Sequence, residues 1–465
     1  MENGLKKKYG LFTAIAMVIG IVIGSGVFFK AEAVLKATGG NMPMGIAAWL
    51  IVGFIMIVCS YTFAIMATKY EKVNGIVDYA EMTVGKRYGY YVGWFMATIY
   101  NPTLTSVLAW VSARFTCVLL GWDIAGGACM AISCFYLVGS YALNSLSPVL
   151  AGKFQVTTTV IKLIPLLLMA IAGTVIGLTN GLTAQNFTHA VETGSSAGGG
   201  LFASVVAVAF AYEGWIIATS INAELKDSKK NLPRALIWGS LIVVAVYVFY
   251  YIGLAGVVPT KTLMENGQAG AKLAFQNIFG PVGGSLIFVF VIISCLGTLN
   301  GLMLGCTRGM YSLAVRGSGP LPEVFRQVDP ATNMPGNSSI LGLLLCGAWL
   351  LYFYGAILAA NPWFGVFCFD TSELPIITLY AGYIPIFVML MVKEKDLNGL
   401  KRFVMPLLAI LGCVFMMVAA CFAHGMSVVY YLAVFAVILL IGMLFDPYKK
   451  GSSVQKETEI GIGSK

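Results

Sequence analysis

Apolar stretches of roughly twenty residues or more recur along this chain from Leu11 to Leu444, with charged clusters between them. Each is long enough to cross a hydrocarbon core of about 30 Å. A backbone in lipid must satisfy its own hydrogen bonds, and runs this long and continuous do so as helices. The stretches fall at 11–37, 43–68, 88–118, 124–146, 150–178, 201–221, 233–258, 281–314, 337–357, 372–392, 403–423 and 427–445. They predict an all-α membrane protein of about twelve helices, packed as one domain over 1–465. Composition agrees: 58% of residues are hydrophobic and 11% charged, with a mean hydropathy of +0.85, whereas a soluble domain carries roughly 25% charged residues. The first stretch runs past signal-peptide length and lacks a small-residue cleavage site, so it is expected to remain a membrane helix.

Basic residues retained on one side orient such a chain. Lys6-Lys7-Lys8, then Lys69, Lys72, Lys86 and Arg87, then Lys226, Lys229, Lys230 and Arg234, then Lys393, Lys395, Lys401 and Arg402, then Lys449 and Lys450 fall on alternate connections. The intervening connections 179–200 and 358–371 carry no Lys or Arg, and 259–280 carries only Lys261 and Lys272. Both termini are therefore expected to be cytoplasmic. The net charge of +9 follows from this topology and from contact with anionic lipid; no nucleic acid is implied.

Of the ten cysteines, Cys59, Cys134, Cys295, Cys306, Cys346, Cys413 and Cys421 lie within apolar spans and read as small core residues. Cys117 and Cys129 flank one connection, but neither lies in it, and a disulfide between them is not expected.

Gly is common where membrane helices pack closely, so most of the 53 glycines need no functional account. Two places do. In the first span, Gly24-Ser25-Gly26 puts two glycines around a serine near mid-membrane, and each costs about 1 kcal/mol against Ala in a helix. One reading is a small-residue packing face through Gly20 and Gly24. The other is an unwound segment, which survives at membrane depth only when buried in protein or lining a cavity. The N–H groups of Ser25, Gly26 and Val27 would then be free first-turn donors at the positive end of a half-helix, suited to a carboxylate. The carbonyls of Ile21, Val22 and Ile23 would suit an ammonium group. Five spans later, Phe210-Ala211-Tyr212-Glu213-Gly214-Trp215 interrupts the sixth span at comparable depth. Paired interruptions in two five-span halves point to the midplane site of an inverted-repeat transporter.

These two segments, with Glu224-Leu225-Lys226 leading to Asn231-Leu232-Pro233-Arg234-Ala235, resemble the amino acid–polyamine–organocation transporters. Nearly the whole chain is most similar to the bacterial L-amino acid transporter branch, typified by serine/threonine and alanine/serine/cysteine exchangers. The resemblance implies a LeuT-like fold with inverted repeats over 11–178 and 201–392, helices 1 and 6 unwound at mid-membrane, two further helices over 403–445 and a cytoplasmic tail over 446–465. It implies a substrate site at Val22, Ile23, Gly24, Ser25, Gly26, Phe210, Ala211 and Glu213. There the N–H groups of Ser25 and Gly26 would take the carboxylate, the carbonyls of Val22, Phe210 and Glu213 the amine, and Phe210 would be the lid.

A lysine near the middle of a span is expensive and marks a role; Lys162, about twelve residues from either end of the fifth span, is such a residue. In sodium-independent relatives a lysine at this place occupies the position of a coupling ion between helices 1 and 8. Lys162 resembles that lysine, reaching the broken end of helix 1 and the 294–300 stretch. Whether it releases its proton or stays charged is open. For Glu213, where relatives often carry aspartate, gate partner, proton carrier and helix-end acceptor are all open. Ser294 and Asn300 are candidates for the pocket or for Lys162, and Asn101-Pro102 for the pocket wall; interhelical hydrogen bonding would also explain them. Asp370 and Glu373 read as a solvated helix N-terminus rather than an outer gate. Tyr79 and Glu81, close to Lys72 and Lys86 in the cytoplasmic connection after span 2, are candidates for an inner gate network, and most of that connection reads as solvated charge.

No catalytic constellation, metal site or cofactor motif is present: the histidines, His189 and His424, sit in outer connections, and no HExxH, CxxC or phosphate-binding loop occurs. A channel or receptor would need a filter sequence or an outer domain, and neither is seen. The expectation is a sodium-independent exchanger of small neutral L-amino acids in a cell membrane, with proton symport as the alternative. Eukaryotic relatives join a heavy subunit through a cysteine in the connection after span 3. Here 119–128 has none, so a stand-alone, prokaryotic carrier is expected.

Overall fold

The apolar runs fold as helices in a computed structural model that describes residues 10–70, 75–188, 197–217, 219, 225–267 and 269–448. Lys6 to Lys8, Lys72, His189, Glu224, Lys449, Lys450 and the tail beyond 448 lie outside the described residues. Among the described residues, eleven helices are long and apolar enough to cross a membrane, and a pair bent by 43°, Leu11–Val22 and Gly26–Ala37, makes a twelfth crossing. We number these spans 1 to 12. Spans 2 to 5 are Met42–Lys69, Lys86–Leu120, Gly127–Leu146 and Pro148–Thr179. Span 6 is helical over Ala197–Ala211, and spans 7 and 8 are Ser228–Val257 and Ala269–Ala314. Spans 9 to 12 are Gly336–Leu358, Leu374–Lys393, Leu400–His424 and Met426–Leu444. The protein is an all-α, multi-pass membrane protein.

Local chemistry explains the irregularities. Span 8 begins earlier than its apolar core and bends at Gly280, whose φ of 75° lies in the left-handed region, just before Pro281. Span 3 holds a π-helical turn at Met96–Tyr100 immediately before Asn101-Pro102, where proline removes a backbone donor. Among the described residues, four connections that carry no long apolar run form short α-helices, at Ile76–Thr83, Leu182–Thr188, Thr260–Asn266 and Pro322–Phe325.

The first half of span 1 packs against spans 5 and 7, its second half against span 6, and span 8 against spans 3 and 5. Span 12 lies at the periphery with only 11% of its apolar window buried. Span 5 shows how the pattern places side chains. Thr158, Thr159, Lys162, Pro165 and Leu166 are buried on one face, while Val160, Ile164, Leu167, Ile171 and Val175 are exposed on the other. The apolar face is the one that lipid solvates.

Charge gathers at one end of the bundle. There Lys69 pairs with Glu394 and Asp396, Arg87 with Asp446 at 2.8 Å, and Arg316 with Asp78, joining connections far apart in sequence. We call this the basic end.

Candidate functional site

Span 1 breaks where helix propensity fails. Ile23 is extended, with φ −71° and ψ 101°, and the helix restarts at Gly26. Close packing accounts for the glycines. A Cβ on Gly24 would lie 2.8 Å from Thr298 Cβ, and one on Gly26 would strike the Ala211 backbone. The first N–H groups of the second half-helix, Gly26 and Val27, have no intrahelical acceptor. Ser25 Oγ is buried without a partner among the described residues.

The carbonyls around the break are held by three neighbouring spans. Fully buried Lys162 donates from Nζ to the Gly20 carbonyl at 2.6 Å and to Thr298 Oγ1 at 3.3 Å. Thr298 Oγ1 in turn donates to the Ile23 carbonyl at 3.3 Å, and Ser294 Oγ to that of Gly24 at 3.2 Å. Tyr247 Oη bridges the carbonyls of Val22 and Ala211, each at 3.0 Å, tying one break to the other. Gln155 Nε2 also reaches the Gly20 carbonyl at 3.4 Å. Its Oε1 accepts from Asn300 Nδ2 at 3.1 Å, and Asn300 Oδ1 accepts from Asn144 Nδ2 at 2.9 Å.

Span 6 leaves the helix at Tyr212–Gly214. Gly214 has φ +99°, and a Cβ there would sit 2.9 Å from Ile21 Cγ2. Buried Glu213 accepts a hydrogen bond from the Tyr100 hydroxyl through Oε1, whereas Oε2 has no partner among the described residues. Phe210 packs edge-on against Phe29 at 5.7 Å between centroids, and Lys30 Nζ lies 5.3 Å above its ring. Between the breaks lies a cavity of about 350 Å³, counting the space open to solvent, lined by Ile21, Val22, Gly24, Ser25, Gly26, Leu104, Leu108, Phe210, Glu213, Gly214, Thr298 and Leu302.

The sequence matches the amino acid permease family over residues 9–444. The chain belongs to that family. It is 31% identical over 433 residues to the serine/threonine exchanger SteT of Bacillus subtilis, covering 92% of this chain and 94% of the relative. It is 25% identical over 370 residues to the b(0,+)-type amino acid transporter 1 of Homo sapiens, covering 75% and 74%. To the Homo sapiens cystine/glutamate transporter it is 25% identical over 333 residues, covering 71% and 65%. As an amino acid permease it is a membrane transporter, not an enzyme.

Six of the residues singled out in sequence, Val22, Gly24, Ser25, Gly26, Phe210 and Glu213, line the cavity of this permease. Ile23 and Ala211 lie behind it, their carbonyls taken by Thr298 and Tyr247. The Val22 carbonyl, assigned above to a substrate amine, already accepts from Tyr247. Asn300 turns to spans 4 and 5 rather than to the cavity, and Ser294 braces the break. Asn101 lines a different cavity.

Three expectations need correction. Glu373 is not solvated: it is 8% exposed and pairs with Lys30 Nζ at 2.7 Å and His424 Nε2 at 2.9 Å, because spans 1, 10 and 11 converge there. Tyr79 is buried against Phe63, and Glu81 pairs with Arg316 at 3.3 Å rather than standing as solvated charge. Among the cysteines, Cys134 and Cys421 are exposed on the bundle surface instead of in the core. Thr298, Tyr247 and Gln155 were missed. Each sits in an apolar span where a hydroxyl or amide resembles ordinary interhelical bonding, and only the spacing of Thr298 and Ser294, one turn apart on span 8, signals a shared face.

Proposed function

We propose that this permease is a sodium-independent carrier of small neutral L-amino acids that works by exchange. The observation that carries the reading is the broken first span. First-turn N–H donors at Ser25 and Gly26 border the same cavity as the half-helix that ends at Val22. A carboxylate fits the donors, and an ammonium group fits remaining acceptor capacity at Val22, Phe210 and Glu213. The wall facing the substrate side chain is apolar, formed by Leu104, Leu108, Leu302 and Phe210, which favours small neutral side chains. Lys162 stands where a fixed cation holds the Gly20 carbonyl and Thr298, the work a bound sodium ion would otherwise do.

In this account residues 11–178 and 201–392 are inverted repeats that rock about the site, with 403–445 appended. Phe210 is the lid, and the Lys30–Glu373 pair closes the end opposite the basic one. The basic end and both termini are cytoplasmic. The carrier acts alone in a prokaryotic cell membrane, since Leu119 to Ala128 offers no cysteine to a heavy subunit. The serine/threonine exchanger among its relatives supports exchange.

Proton symport is the second reading, favoured by the unpartnered Oε2 of buried Glu213. Uptake of labelled L-serine or L-alanine into proteoliposomes, with or without internal amino acid and with or without a pH gradient, separates the two. Exchange requires internal substrate and ignores the gradient. Filling of empty vesicles under a pH gradient would instead establish symport.

A further inference from the structure

A second cavity, about 650 Å³ counting the space open to solvent, lies toward the basic end and includes Asn101, Thr219, Gly305, Arg308 and Ser312 in its wall. It is stacked on the first along two helices. Leu104 and Leu302 belong to the substrate cavity, whereas Asn101 and Gly305, each one helical turn away on the same spans, belong to this one.

Two polar groups in it lack partners. Arg308 is exposed and makes no hydrogen bond or ion pair among the described residues. An arginine facing lipid within a membrane span is costly, and such residues are found instead on polar cavities and pathways. Asn101 is only 5% exposed, and its Oδ1 is buried with no partner. Its amide rests on span 8, with Oδ1 3.3 Å from where a Cβ of Gly305 would be. Arg308 follows Gly305 by one turn on the same face. A cationic fork and a residue with an unsatisfied acceptor therefore line one cavity, and a zwitterionic α-amino acid carries the complement of both.

We propose that this cavity is a second station for the transported amino acid, between the helix breaks and the basic end. Arg308 holds the substrate carboxylate and Asn101 Oδ1 its ammonium group. The station rests on the amino acid carrier reading above. It loads or releases substrate on one face only, so its residues set the half-saturation concentration asymmetrically.

The test is exchange of labelled L-serine in proteoliposomes of uniform orientation, with KM measured on each face for wild type, Arg308→Ala, Arg308→Lys and Asn101→Leu. Arg308→Ala and Asn101→Leu are expected to raise KM at the basic-end face about tenfold, a loss of about 1.4 kcal/mol, while the opposite face stays within about twofold. Arg308→Lys, which keeps the charge, recovers part of the loss. The unchanged face reports that each variant is folded. Equal shifts on both faces, or none, overturn the station while leaving the carrier reading intact; wild type that carries no amino acid overturns both. If replacing chloride by gluconate changes the basic-face KM of wild type but not of Arg308→Ala, and Asn101→Leu has no effect, the cavity binds inorganic anions and the proposal fails.

Discussion

Lys162 Nζ lies 2.6 Å from the carbonyl oxygen of Gly20, two residues before the first half of span 1 ends at Val22. The amino group thereby caps the carbonyl end of a half-helix inside the membrane. The same Nζ reaches Thr298, which holds the carbonyl of Ile23, so one side chain on span 5 secures both the break and span 8.

Removing that charge frees the break. A hydrogen bond to a charged group contributes about 1.5–3 kcal/mol, so Lys162→Ala and Lys162→Met should slow exchange by at least about tenfold. Initial rates in proteoliposomes, normalised to monodisperse protein, give the answer; wild-type rates in both variants would refute a bracing role.

Because the ammonium is part of the chain, replacing sodium by choline on both sides of the vesicle should leave wild-type exchange unchanged. A rate that rises and saturates with sodium would show that an ion site exists beside Lys162.

Tyr247 joins the two breaks through the carbonyls of Val22 and Ala211. Tyr247→Phe deletes the one hydroxyl donor that the two carbonyls share, a net contribution of about 1 kcal/mol, while keeping the ring packed against Trp49 at 5.6 Å. Turnover is expected to fall several-fold with little change in Tm; an unchanged turnover would mean that the breaks move independently.

Glu373→Gln leaves buried Lys30, itself 4% exposed, without its charge partner. Breaking a buried pair in this way costs about 3–5 kcal/mol. The variant should show a lower Tm and faster hydrogen–deuterium exchange in the half-helix Gly26–Ala37. Unaltered exchange there would show that the pair does not hold that end closed.

The spans were legible because lipid leaves a chain few choices, and twenty apolar residues in a row announce a helix. The break at Gly24-Ser25-Gly26 was legible because two glycines near mid-span oppose helix propensity. What the chain did not disclose were the partners. Lys30 and Glu373 are 343 positions apart, and nothing local marks Glu373 as buried. Thr298 and Tyr247 are hydroxyls among apolar neighbours, and their function arises only when spans 7 and 8 are laid against span 1. Gln155 and Asn144 became a network with Asn300 for the same reason.

The central claim is that backbone at the break, approached too closely for any side chain, recognises the amino acid head group. Equilibrium binding of L-serine to purified Gly26→Val tests it most directly, with Gly347→Ala, where a Cβ meets nothing within 4 Å, as control. Binding should be lost in Gly26→Val and retained in the control, both being monodisperse. Wild-type affinity in Gly26→Val would contradict the account.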